Sequence, residues 1–118
     1  MDAQKFIIDS LNESSETKLK IKDQLVDEIL KAVDILVSSY KDGNKLLLCG
    51  NGGSAADCQH IATEFMIRLS HTIKRPALPA IALTTDSSNL TAGGNDIGFE
   101  NVFARNVEGL GALGDVLL

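Results

Sequence analysis

The chain has no stretch approaching the roughly 20 uninterrupted apolar residues that a membrane-spanning helix requires. Its amino terminus also lacks a basic region followed by an apolar run and a cleavage site, so cytoplasmic residence is the expectation. Positive charge is in short supply. Eleven Lys and Arg against sixteen Asp and Glu leave a net charge of -5 at pH 7. Binding to a phosphate backbone or an anionic membrane surface ordinarily needs a basic face, so neither is expected as the main partner. A small anion can still be held locally by backbone amides at a helix amino terminus. Cysteine is scarce as well. Cys49 and Cys58 fall in no metal-ligand or redox spacing, and they read as two reduced thiols that pack as small apolar side chains. Internal repeats and low-complexity segments are absent.

What is present suits one small soluble domain: 118 residues, 44% of them hydrophobic, are enough to build a core. Phe6, Ile7 and Leu11 suggest a short first helix that leads into a polar stretch, Asn12 to Lys18. A longer helix follows, in which Val26, Ile29, Leu30, Val33, Leu36, Val37 and Tyr40 recur at three and four residues. That spacing lays one apolar stripe along a helix, which reads as core or subunit contact rather than as a ligand site. The helix is expected to stop at Lys41-Asp42-Gly43-Asn44.

Lys45 to Cys49 reads as a buried strand, because Leu46, Leu47, Leu48 and Cys49 are continuously apolar and end at Gly50, as in central strands of parallel sheets. The helix pattern then runs from Ser54 to about Leu69. Ser54 is expected to cap it with Asp57 near its start, and Ile61, Ala62, Phe65, Met66 and Leu69 to lie on its inner face. Pro76 and Pro79 bracket a loop that feeds a second buried strand, Ala80 to Leu83. A helical region with a break expected near Gly93-Gly94 extends to about Leu110, and Asp115 to Leu118 opens a third strand. Strands alternating with helices predict an α/β fold with a right-handed parallel sheet. The domain reading is residues 1–42 as amino-terminal helices for packing or oligomerisation and 43–118 as the first part of the α/β domain. An ending inside an apolar strand suggests a fragment, or a sheet completed by something else.

In an open parallel sheet, ligands collect beyond the carboxyl ends of the strands, and a glycine-rich turn into a helix brings backbone amides to an anion or a sugar. Gly50-Asn51-Gly52-Gly53-Ser54 is such a turn. It lacks the Gly-Lys-Ser/Thr ending of a P-loop, but Gly50, Gly52 and Ala55 fit G-x-G-x-x-A, so a dinucleotide site competes with a plain tight connection. The helix behind it carries His60 and Glu64 four residues apart, on one face. Such a pair is either a surface ion pair or a functional one that shares a divalent metal or positions a general base. Arg68 reads as surface charge or substrate contact, and His71 as a loop histidine.

Four segments taken in order closely resemble the phosphoheptose isomerases, which are sugar isomerase (SIS) domain enzymes. They are LLLCGNGGSAADCQHIATE (46–64), LPAIALTTD (78–86), GNDIGF (94–99) and GDVLL (114–118). The resemblance implies a three-layer αβα sandwich, a homotetramer, and interconversion of sedoheptulose 7-phosphate and glycero-manno-heptose 7-phosphate for bacterial surface polysaccharides such as lipopolysaccharide. It also implies substrate contacts from Asn51, Gly52, Gly53, Glu64, Asn95 and Asp96. His60 and Glu64 match two zinc ligands of the metal-containing members, and Glu64 matches the catalytic base. A Ser/Thr-rich phosphate loop and a later Gln and His, which complete the family's site, would fall after Leu118, so the segment alone is expected to be inactive.

Two alternatives stay open. One is a non-catalytic SIS-domain binding protein of the replication-initiator-associating type, whose members lack the carboxylate found here at Glu64. The other is a nicotinamide-dependent oxidoreductase with Asp86 as the ribose-binding acid. The roughly 30 residues from loop to Asp86, against about 20 in that motif, count against it.

Overall fold

The computed structural model describes residues 2–118, which divide into two compact units, 2–35 and 36–118. In the first unit, helix α1 (Ala3–Gln24) begins at Asp2, whose side chain accepts hydrogen bonds from the amides of Gln4 and Lys5. The polar stretch expected to interrupt it does not. Asn12 to Lys18 contains neither Gly nor Pro, so the helix simply carries a solvated segment through to Gln24. Leu25 closes α1, and α2 (Val26–Lys41) starts at once. The apolar stripe of α2 has two fates. Val26, Ile29, Leu30 and Val33 remain about half exposed, whereas Leu36 and Tyr40 pack against the core.

The second unit is built on a three-stranded parallel sheet in the order β2-β1-β3. Strand β1 (Leu46–Leu48) lies between β2 (Ala80–Ala82) and β3 (Val116–Leu117). Leu46 pairs with Ala80 on one side and with Val116 on the other, each strand falling within a residue or so of its expected bounds. All three leucines of β1 are at most 1% exposed. Side chains alternate faces along a strand, so burial of Leu47 as well as Leu46 and Leu48 means that both faces of the central strand are covered. On one face, helix α3 (Gly53–Met66) sets Cys58 and Ala62 against Leu46, Leu48 and Ala80. Ile61 and Phe65 flank this cluster. Met66 and Leu69, expected inside, are instead exposed, because α3 ends at Met66 and the chain leaves the sheet there. Both cysteines are free thiols, and burial pushes the Cys58 thiol up, helped by the nearby Cys49 and Asp57.

Helix α4 (Ser87–Asp96), a single 3-10 turn (Phe99–Asn101) and helix α5 (Val102–Leu110) complete the unit. The expected break at Gly93-Gly94 falls instead at Ile97-Gly98. Gly93 is part of the helix, and a Cβ there would stand 2.8 Å from Cγ2 of Val102, which is 1% exposed, so the absent side chain lets the next helix approach closely.

The outer strand β3 is tied down by charge at its start. Asp115 Oδ2 accepts from Lys45 Nζ at 2.6 Å, Oδ1 accepts from the Lys45 amide at 2.9 Å, and the Asp115 side chain is only 7% exposed. These bonds, led by that to the Lys45 side chain, lower the carboxyl from 3.8 to about 2. Between those values the unfolded chain holds more protons than the folded one. The stabilisation is therefore fully present above pH 3.8 and lost as the pH falls through about 2. Acid unfolding followed by circular dichroism should thus steepen over that interval, and Asp115→Asn should flatten it. An Asp115→Asn profile that superimposes on the parent would disprove the assignment.

Candidate functional site

Strand order places the glycine loop where a ligand would find it. From β1 the chain crosses to β2 on one side, and β3 later joins on the other, so β1 sits at the point where the strand order switches sides. Gly50 to Ser54 leaves the carboxyl end of that strand. Gly52 takes φ 56 and ψ -121, a conformation open to glycine and costly for other residues, and this turn starts α3 at Gly53, one residue before the expected cap. Ser54 is consequently inside the first turn, and among the described residues no side chain caps the helix, Asp57 included. Asn51, Gly52 and Gly53 are all exposed. The first amides of α3 thus face solvent without a side-chain acceptor, which suits a polar or anionic ligand.

About two and three helical turns further along α3, His60 and Glu64 meet. Nε2 of His60 lies 3.2 Å from Oε1 of Glu64, with the His60 side chain 78% exposed and that of Glu64 26%. Two donors on one tetrahedral zinc, each bonded at about 2.0–2.2 Å, stand about 3.3–3.6 Å apart, close to the separation seen here. The pair therefore fits as two donors of such a site. It supplies only two: among the described residues no three His, Cys, Asp or Glu side chains cluster to hold a metal, so further donors are needed.

Asn95 and Asp96 end α4, where the Asn95 side-chain amide donates to Asp96 Oδ1 at 2.8 Å. Asp96 lines a cavity of about 190 Å³ with Asn89, Gly93, Val102 and Arg105. Glu64 lines a different one, of about 160 Å³, with Phe65, Leu69, Arg75 and Leu78. Each pair is thus assembled locally, His60 with Glu64 and Asn95 with Asp96. Asp86 has a structural task that the dinucleotide reading did not foresee: its Oδ1 accepts from the Asn89 amide at 3.0 Å and caps α4. Arg68 and His71 lie exposed past the end of α3.

Arg75 escaped the sequence reading. Its guanidinium donates to the carbonyl oxygens of Glu64 and Phe65 at the carboxyl end of α3, eleven and ten residues away in sequence. Only its position directly before Pro76 hinted at a fixed loop.

The chain is 50% identical over 112 residues to a phosphoheptose isomerase of Pelodictyon phaeoclathratiforme, covering 95% of this chain and 53% of that protein. It is 51% identical over 115 residues to one of Clostridium acetobutylicum, covering 96% and 58%. Among solved structures, the phosphoheptose isomerase of Francisella tularensis matches with a TM-score of 0.92 at 36% identity, over 99% of this chain and 60% of that one. That of Neisseria gonorrhoeae matches at 0.86 and 41%, over 97% and 58%. The chain therefore spans a little over half the length of these relatives. The α/β fold with a parallel sheet flanked by helices is theirs too. The family model for the SIS domain matches residues 11–118, which takes in the glycine loop, α3 and the whole sheet, and the chain belongs to the SIS domain family.

Proposed function

We propose that this chain serves in a cytoplasmic phosphoheptose isomerase that interconverts sedoheptulose 7-phosphate and D-glycero-D-manno-heptose 7-phosphate for bacterial surface polysaccharides such as lipopolysaccharide. The observation that carries the reading is Glu64, a largely shielded carboxylate set beside His60 on the helix that an uncapped glycine loop begins. The named relatives support it.

Aldose-ketose isomerisation moves one proton between adjacent carbons through a cis-enediol. It calls for a base at those carbons and for stabilisation of negative charge on oxygen. In this reading Glu64 takes the proton from C1 of the ketose and returns it to C2, while the hydroxyl proton passes from O1 to O2. Nothing is gained or lost overall. A carboxylate has two oxygens, and the His60 contact engages Oε1. Asn51, Gly52 and Gly53 hold the sugar at the amino end of α3, and Asn95 and Asp96 contact its hydroxyls. A zinc ion held in part by His60 and Glu64, with its other donors from outside this segment, would supply Lewis-acid stabilisation of the sugar oxygens. Assembly as a homotetramer belongs to the same proposal. The row of exposed apolar side chains on α1 and α2, among them Phe6, Leu11, Ile29 and Leu30, supports it, since large exposed apolar patches ordinarily mark contact surfaces.

The test is direct. Full-length protein incubated with sedoheptulose 7-phosphate and zinc should yield the aldose, followed by NMR of the anomeric proton. Tight NAD binding with no isomerisation would overturn the reading in favour of an oxidoreductase.

A further inference from the structure

The last carbonyls of any helix lack intrahelical partners. In α3 the Thr63 carbonyl accepts from the Ile67 amide at 2.8 Å, and the next two fall to one side chain. Arg75 Nη2 donates to the Glu64 carbonyl at 2.5 Å, and Nη1 donates to that of Phe65 at 2.8 Å and to that of Pro76 at 2.9 Å. The Leu78 amide adds a second bond to Phe65 at 3.1 Å. The last turn of α3 contains no basic residue of its own, so the cation that complements this helix end comes from the loop. A rigid planar fork can bridge two successive carbonyls, whereas a lysine ammonium is a single point charge. On the other side of the turn, the Phe65 ring stacks on Tyr40 with centroids 5.6 Å apart, and the Tyr40 hydroxyl donates to the Pro79 carbonyl at 3.2 Å. The loop from Arg75 to Pro79 and the end of α3 are thereby locked together at the residue whose carboxylate faces His60.

We infer that Arg75 is a positioning residue: by gripping the main-chain carbonyls of Glu64 and Phe65 it sets where the Glu64 carboxylate stands. The inference rests on the isomerase reading for its catalytic consequence. A base displaced by about 1 Å can lose about 100-fold in rate, whereas substrate affinity, which is shared with Asn51, Gly52, Gly53, Asn95 and Asp96, should change much less.

Arg75→Met and Arg75→Lys in the full-length enzyme are expected to lower kcat by about 10- to 100-fold with KM within about threefold. Amide exchange in the last turn of α3 should rise about tenfold while that of β1 stays unchanged. In Arg75→Ala, millimolar guanidinium ion should fill the cavity beside Glu64 and recover part of kcat. If Arg75→Met does not fold, Arg75→Lys, which keeps the charge and loses the fork, carries the test. A KM that rises as kcat holds would overturn the inference and make Arg75 a substrate contact. Faster exchange with unchanged kcat would reduce it to a purely structural clamp. If the unsubstituted protein does not isomerise the sugar, the functional reading falls separately. The positioning of Glu64 is then decided by its carboxyl carbon resonance, which must move in Arg75→Ala and return with guanidinium, and an unmoved resonance refutes it.

Discussion

Glu64→Gln is expected to lower the turnover of sedoheptulose 7-phosphate by about 10²–10⁴-fold, the range that a general base contributes. The substitution keeps size and hydrogen-bonding shape but removes the group that accepts a proton. Because the Glu64 side chain is 26% exposed and joins only α3 to itself through His60, an amide there should leave the fold undisturbed. Steady-state rates with the purified full-length variant, together with its sedimentation and circular dichroism, would check this. Parent-like turnover would sink the role assigned to Glu64. A variant that is inactive because it no longer folds would show in the spectrum and would leave the assignment to Glu64→Asp, which keeps the charge but withdraws it by one methylene.

Leu47→Ala should cost about 2–5 kcal/mol, the range for deleting a leucine from a packed core. Leu47 is 1% exposed, on the central strand and on the face opposite the α3 cluster. Small domains are stable by only about 5–15 kcal/mol, so such a loss consumes much of the margin. Urea unfolding would measure it. Leu47→Met, which conserves volume, should stay within about 1.5 kcal/mol. A loss below about 1 kcal/mol for Leu47→Ala would mean that this face of β1 is loosely packed, contrary to its burial.

The elements read correctly from sequence are those whose causes are local. Four consecutive apolar residues ending at Gly50 specify β1, and the spacing of His60 and Glu64 specifies a shared helix face; both appear where expected. The errors have non-local or conformational causes. Ser54 has the chemistry of a cap, but the positive φ of Gly52 begins the helix one residue earlier. Gly93 looks like a helix breaker until Val102 is seen packed against it. Met66 and Leu69 continue the apolar period of α3 beyond the point where the helix stops. Lys45 with Asp115, and Arg75 with Glu64, join residues 70 and 11 apart that no periodicity relates.

Apolar period, glycine content and i,i+4 spacing act over a few residues, so the alternation of strand and helix, the glycine turn after Leu48, and a histidine and a carboxylate one helical turn apart are all legible in the residues alone. Long-range packing, by contrast, puts β1 between β2 and β3, so that the glycine loop opens where the strand order switches sides. It also decided that Arg75 reaches back to hold the end of α3. Both depend on which distant segments pack together, and burial of Leu46, Leu47 and Leu48 from both sides drives that choice.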